Sequence, residues 1–517
     1  MFKRKKLTPQ NYTRILFFLF MAMGIFARVW KFGTVPGDIN QDEAFAGYDA
    51  YNLLHYGMDS AGYRFPVYLT TWGSGTSALN TYLMIPFMAV FGAKIWVIRL
   101  PQVIVSCLTL WTTYLLMKRL FHEKIALCAL FLLAISPWHI GMSRWGMDCN
   151  MAPGFLIFGL YFFVRGLEDS KYLMLSALMY GLSLYCYATI WPIVPLLILL
   201  QLIYGLICRK IRFNCHLILA GLILAVFAAP LFLFILVNMD VIEEIRLPFL
   251  SIPRLVVMRD SEISLSQLST KAHRLWSIMK LQSDDLAWNS TGKYGIYYSG
   301  TLSFFVLGTF YCIKTSIEKL RQKKEAPELL ILIQVGVALL LGLLIYTNIN
   351  RINILFIPMM LVAVLGAFYL FSLIDLRYLI LPAAFYLCMF IGFEHYYFTE
   401  YSEILGYYFC DGLEDAVKEA VSYDGQIYIT PGLRHSDILF LAEVPVTEYI
   451  DTVEYFNYPN AYLAARSFGR FSYDFDPAVP DPDATYILNQ IIDLVPFEKA
   501  GFTLHTYGYY TVAHYGP

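Results

Sequence analysis

Charge is scarce in this chain. Of its 517 residues only 15% are Asp, Glu, Lys or Arg, against about 25% in an ordinary soluble domain. Hydrophobic residues make up 58%, and the mean hydropathy is +0.55. That balance excludes a large soluble enzyme. Also missing are a Gly-x-x-x-x-Gly-Lys phosphate loop, a His-Glu-x-x-His pair and a Cys-x-x-Cys pair, which removes the common nucleotide and metal signatures. Cysteine pairing is lacking too. Cys107, Cys128, Cys208, Cys215, Cys312 and Cys388 lie in apolar runs and read as small hydrophobes, and Cys149 and Cys410 fit no pairing pattern, so no disulfide framework is implied. Internal repeats and low-complexity tracts are absent.

What is present is a succession of apolar runs of about 17–25 residues, the length needed to cross a bilayer. They predict a polytopic α-helical membrane protein of about eleven transmembrane helices, near 14–30, 95–117, 122–138, 152–167, 172–188, 191–207, 215–237, 297–314, 328–346, 352–373 and 377–394. Lys3-Arg4-Lys5-Lys6 and the apolar run from Ile15 to Ala27 have the shape of a signal peptide. Arg28-Val29-Trp30-Lys31 follows without a small-residue cleavage pattern, so an uncleaved first span is expected.

Lys and Arg gather in alternate short loops: Lys3 to Lys6, Lys118, Arg119 and Lys124, Arg165 and Lys171, Arg209 to Arg212, Lys314 to Lys324, and Arg377. The opposite short loops hold chiefly Arg144 and Arg351. By the positive-inside rule the N-terminus is cytoplasmic, and the loop 31–92, the Asp148 region, the long loop 238–296 and everything after 394 are extracytoplasmic. Residues 1–394 are therefore expected to form the membrane domain and 395–517 a small extracytoplasmic α/β domain. In the latter, Gly425 to Thr430 and Ala484 to Leu488 read as strands, Ser436 to Ala442 as a capped helix, and Phe502 to Tyr507 with Tyr509 to Ala513 as a hairpin around Gly508.

Acidic groups are costly in a bilayer and become functional candidates at its edge. Asp42 and Glu43, in Pro36-Gly37-Asp38-Ile39-Asn40-Gln41-Asp42-Glu43-Ala44, stand at the start of a predicted interfacial helix, where the helix dipole favours negative charge. They are either simple helix-terminal carboxylates or a site. Ser77 to Leu83 predicts a second surface helix. Arg144 and Asp148, four apart, either pair as ions, or Asp148 or Asn150 faces the same extracytoplasmic cavity as Asp42. His139, at a span end, is a substrate-side candidate or an interfacial histidine. Arg351 either snorkels or binds phosphate through its guanidinium fork. Asp285, Asn289 and Tyr297 in the long loop are candidates to line a sugar or acceptor site, or belong to a solvated turn.

The Asp-Glu pair in a long first loop, Arg99-Leu100-Pro101 opening a span, and Ser136-Pro137-Trp138-His139-Ile140 followed by Ser143-Arg144-Trp145-Gly146 resemble the polyprenyl-phosphate-dependent GT-C glycosyltransferases. The similarity is to the protein O-mannosyltransferase and aminoarabinose transferase-like members, glycosyltransferase family 39-like. It covers about residues 10–395 in layout. Gly75-Thr76-Ser77-Ala78-Leu79 stands where the aminoarabinose branch carries a Lys-Pro-Pro type turn, a departure from that branch. The resemblance implies transfer of a sugar from a polyprenyl-phosphate donor to an extracytoplasmic acceptor (a cell-wall or surface glycopolymer, a lipid or a protein) with inversion. It implies Asp42 as general base, Glu43 as an orienting or supporting group, and Arg351 with Arg144 offsetting charge on the leaving phosphate. No cofactor is called for, and the acidic loop leaves room for a divalent metal. Nucleic acid is not an expected partner. The competing readings are a transporter or flippase of lipid-linked saccharides, whose polar groups would sit nearer the bilayer midplane, and a non-enzymatic scaffold.

Overall fold

The computed structural model describes residues 9–258 and 265–516; the basic cluster Lys3 to Lys6 lies outside them. Each of the eleven expected spans has a helix at its place. Eight of these helical stretches are long and apolar enough to cross a membrane. The other three fall short for physical reasons. Glu123–Ala134 and Tyr172–Ser183 have 12 residues each, about 18 Å at 1.5 Å per residue. Thr301–Arg321 is long enough but ends in Lys314, Glu318, Lys319 and Arg321. The expected fifth span stops at Ser183, since Trp191 and Pro192 follow a single turn at Ala188–Ile190 and the next helix begins at Ile193.

Helix Thr301–Arg321 packs closely along Phe356–Ile374 because Gly308 and Gly366 face each other's backbone: a Cβ on either would collide with Val362 O or Phe304 O. Small residues at such crossings let helices approach where lipid supplies no hydrophobic drive. Loops expected on the cytoplasmic side meet one another, with Lys210 2.6 Å from Glu325 and Arg119 paired with Glu168.

The first loop is not spread on a membrane surface. Helix Gln41–His55 is buried over most of its length, packed between Leu79–Phe91 and helix His435–Leu441 of the C-terminal region. In place of the expected interfacial position, its aromatic and small residues Ala44, Phe45, Ala46, Tyr48 and Ala50 join a protein core. Within the long loop stand a hairpin Ile245–Leu247/Leu250–Ile252 and a helix Leu268–Leu281.

The C-terminal sheet domain carries a seven-stranded sheet in the spatial order Thr503–Tyr507, Tyr510–His514, Thr485–Asn489, Ile427–Ile429, Phe471–Ser472, Ala465–Phe468, Glu454–Tyr455. Ile427–Ile429 runs parallel to both of its neighbours, and the last two strands close a hairpin with Tyr507 opposite Tyr510. This domain is pinned to the first loop. Asp38 Oδ2 accepts the Gly412 and Glu414 amides at 2.9 Å each, and the Leu463 amide donates to Trp72 O at 2.8 Å.

Candidate active site

The site grows from the start of helix Gln41–His55. Asn40 caps it: its side chain accepts the Asp42 amide at 3.1 Å, and Glu43 Oε1 accepts the Asn40 amide at 3.1 Å. This reciprocal cap fixes the first turn, where adjacent side chains diverge by about 100°. Asp42 and Glu43 therefore go to different places.

Glu43 turns inward and is fully buried. Arg99, also buried, donates Nε to Oε2 at 3.1 Å and Nη2 to Oε1 at 2.5 Å, while the Gly146 amide donates to Oε2 at 2.8 Å. Arg99 is completed by Gly37 O at 3.0 Å and Asp38 O at 2.6 Å. A buried pair with its remaining bonding positions filled is the arrangement that offsets desolvation. Of the orienting and supporting roles expected for Glu43, this burial fits a supporting one, away from the cavity: it ties the first loop to the Ile95–Leu120 helix and to the turn at Gly146.

Asp42 turns outward, and its Oδ1 accepts the Trp72 indole N–H at 3.2 Å. It lines a cavity of about 740 Å³ together with Asp148, Asn350 and Arg351. Trp191, Pro192, Phe234 and Ile235 give the same cavity an apolar flank. Asp148 is anchored, its Oδ2 accepting the Ser77 amide at 3.2 Å and its Oδ1 the Cys149 amide at 2.6 Å. Gly75, at φ +77, forms part of the wall; a Cβ there would meet Tyr68 and Leu69 O. Asp42 also lines a second cavity, of about 370 Å³, on the side of the C-terminal domain. The carboxylate thus stands where two cavities meet.

Several expected site residues lie elsewhere. Arg144 is fully buried and donates to the carbonyls of Ala27, Arg28, Trp30, Lys31 and Val35. It caps the end of helix Pro9–Val29, where orphan carbonyls attract a cation, and is not placed to meet a phosphate. Nor does it pair with Asp148, because the chain turns between Met142 and Asp148. Asn150 is buried, its Nδ2 donating to Met142 O at 3.1 Å. His139 is buried with Nδ1 2.6 Å from Arg28 Nη2, and burial together with that guanidinium holds the imidazole well below its usual range. Asp285 sits exposed on a turn. Asn289 donates to Asp284 Oδ2 at 2.7 Å, and the Tyr297 hydroxyl donates to Phe356 O at 2.7 Å in the core. None of these lines the Asp42 cavities. Sequence reading missed Trp72, and it missed Arg434 and Asp437 of the smaller cavity; the isolated Thr70-Thr71-Trp72-Gly73 turn was the one local signal. Among the described residues no group of three or more His, Cys, Asp or Glu could hold a metal ion.

Residues 78–234 match the family model described as dolichyl-phosphate-mannose-protein mannosyltransferase. This stretch holds Arg99, Arg144 and Asp148 but neither Asp42 nor Arg351. No curated protein sequence matches the chain. Among solved structures, ArnT from Cupriavidus metallidurans bound to undecaprenyl phosphate is similar over 98% of both chains at 11% identity, with TM-score 0.59. The same protein in the apo state gives 0.56. The apo oligosaccharyltransferase of Archaeoglobus fulgidus, at 13% identity, is matched over 84% of this chain and 64% of its own with TM-score 0.48. The fold is that of the GT-C membrane glycosyltransferases.

Proposed function

We propose that this chain, a multi-pass membrane protein with the GT-C fold and a mannosyltransferase-family segment, transfers a sugar from a polyprenyl-phosphate donor to an extracytoplasmic acceptor with inversion. Residues 1–394 form the transferase unit in the cell membrane with the N-terminus cytoplasmic, and 395–517 lie outside. The observation that carries the reading is the position of Asp42 at the junction of two cavities, with Arg351 on the wall of the larger.

The larger cavity, polar at one end and apolar along the flank, suits a lipid phosphate that carries a sugar. The undecaprenyl phosphate held by the fold relative fits this choice. Arg351 offsets charge that builds on the phosphate as its bond to the anomeric carbon breaks. From the opposite side an acceptor hydroxyl attacks that carbon. Its proton passes to Asp42, and the polyprenyl phosphate departs with the bonding pair. Trp72 fixes the Asp42 carboxylate for this task. One base opposite one leaving group gives inversion, and Asp42 alone of the two adjacent carboxylates faces the reaction.

The test is transfer in proteoliposomes. Purified protein is supplied with undecaprenyl-phosphoryl hexoses, radiolabelled in the sugar, and an extract of envelope acceptors, and the anomeric configuration of the product is read by NMR. An inverted product supports the reading. Retention of configuration would contradict the single-base mechanism, and movement of label across the bilayer without a product would point to a flippase.

A further inference from the structure

The second cavity is built differently from the first. One wall is aromatic, formed by Trp145 and Trp288 with Tyr407 and Tyr408 of helix Glu400–Tyr408, and Trp288 and Tyr408 meet edge to face at 5.4 Å. The opposite wall comes from the C-terminal sheet domain. Asn489 and Gln490, at the end of strand Thr485–Asn489, line it with Arg434, Asp437 and Tyr509, and Asn489 Oδ1 accepts the Ile491 amide at 3.2 Å. Gln41, next to Asp42, joins the two walls: its Oε1 accepts Arg434 Nε at 3.0 Å. At about 370 Å³ the space falls within the range of small-ligand pockets.

Rings on one side and amides with charges on the other match the two kinds of surface a sugar offers. Its C–H faces lie against aromatic rings, and its hydroxyls pair with amides, guanidinium and carboxyl groups, which donate and accept in fixed directions. An acyl chain needs a continuous apolar wall, and that feature belongs to the larger cavity. A peptide bound by strand addition needs a run of unpaired backbone along a sheet edge. Strand Thr485–Asn489, which ends at this cavity, is instead paired on both sides.

We infer that the acceptor is a saccharide, that it occupies this second cavity, and that Arg434, Asn489 and Gln490 of the C-terminal domain decide which saccharide is taken. This rests on the reading of Asp42 as the base that activates the acceptor hydroxyl. The C-terminal domain thereby has a role in specificity. Its attachment through Asp38 and the Trp72 turn holds that wall in register with Asp42. Asp437 fits the same use. Its Oδ2 accepts the Arg434 amide at 3.3 Å, and burial in the first place, with the negative charge of Asp42 adding to it, pushes its carboxyl up to about 7.

The experiment uses the full chain in lipid nanodiscs. Saturation-transfer NMR is run with a panel of methyl hexosides, methyl pentosides and their disaccharides, alongside a Ser/Thr-rich peptide and a short-chain phosphatidylglycerol. Undecaprenyl phosphate binding, followed by native mass spectrometry, reports the larger cavity separately. At least one saccharide should bind, and Asn489→Ala and Arg434→Ala should each weaken it by about tenfold, the loss of one or two good hydrogen bonds, with undecaprenyl phosphate binding unchanged. Absence of saccharide binding in the wild type, or binding that both variants leave intact, would overturn the inference. So would peptide or lipid signals that those variants remove in place of the saccharide's. If saccharides bind in this variant-sensitive way while undecaprenyl phosphate does not bind at all, the acceptor inference stands and the donor reading fails.

Discussion

Replacing Glu43 tests the division of labour between the two adjacent carboxylates. In Glu43→Ala, Arg99 keeps Gly37 O and Asp38 O but loses its counter-ion in a fully buried position, and the Gly146 and Asn40 amides lose their acceptor. Removing one partner of a buried pair costs about 3–5 kcal/mol, and each stranded buried amide adds about 1–3 kcal/mol. Relaxation of Arg99 toward its two carbonyls offsets part of this, so a net loss of about 4–6 kcal/mol is expected, a large share of the 5–15 kcal/mol typical of folded proteins. Glu43→Gln keeps the shape and one acceptor oxygen and loses the charge, at about half that cost. The assay is the thermal unfolding midpoint in detergent, paired with transfer per folded molecule. Glu43→Ala should express poorly or melt far below wild type. Glu43→Gln should melt lower yet keep measurable turnover. A Glu43→Gln protein with wild-type stability and no transfer would place Glu43 in the chemistry and refute the argument.

Arg351→Ala should weaken undecaprenyl phosphate binding by about 10- to 100-fold, the worth of a charged hydrogen bond, and should flatten its salt dependence in a titration at rising ionic strength. Gly366→Ala forces a Cβ into the Phe304 carbonyl; overpacking of about 1–3 kcal/mol should appear as a lower melting midpoint with transfer by the surviving folded protein little changed. For Asp437 the sign follows from a carboxyl raised to about 7 in the fold, above the roughly 3.9 of an unfolded aspartate. Its contribution to stability is present below about pH 4 and is lost as pH rises through about 7. Asp437→Asn should therefore flatten the fall in stability over that window, by at most about 1.4 kcal/mol per pH unit, as read from melting midpoints across pH; the slope that persists belongs in part to Asp38, raised to about 6 chiefly by burial.

Much of the layout was legible because the bilayer imposes long apolar runs; a helix stands at each expected span, and eight of them are long and apolar enough to cross a membrane. In the tail the Gly508 hairpin and the strand at 427–429 were readable from alternation and turn chemistry. Asp42 and Arg351 stood out for the same reason, as charges at a membrane edge where the composition does not favour them, and they do share a cavity. Arg144 had an identical signature and went elsewhere, since only tertiary structure reveals that the carbonyls of helix Pro9–Val29 end beside it. The burial of helix Gln41–His55 was illegible for a related reason. An apolar stripe does not say whether lipid or a distant domain will cover it, and here helix His435–Leu441 does. Arg434 and Asp437 line the smaller Asp42 cavity from that same distant segment, beyond the range of any local pattern.

Asp42, as the proposed base, takes the proton of the acceptor hydroxyl. Asp42→Asn retains the side chain's shape and an oxygen for Trp72 Nε1, so the fold should keep its melting midpoint and undecaprenyl phosphate should still bind. The initial rate of sugar transfer in proteoliposomes should fall by about 10²- to 10⁴-fold, the usual contribution of general base catalysis. An Asp42→Asn protein that folds, binds the donor and transfers at the wild-type rate would contradict the account.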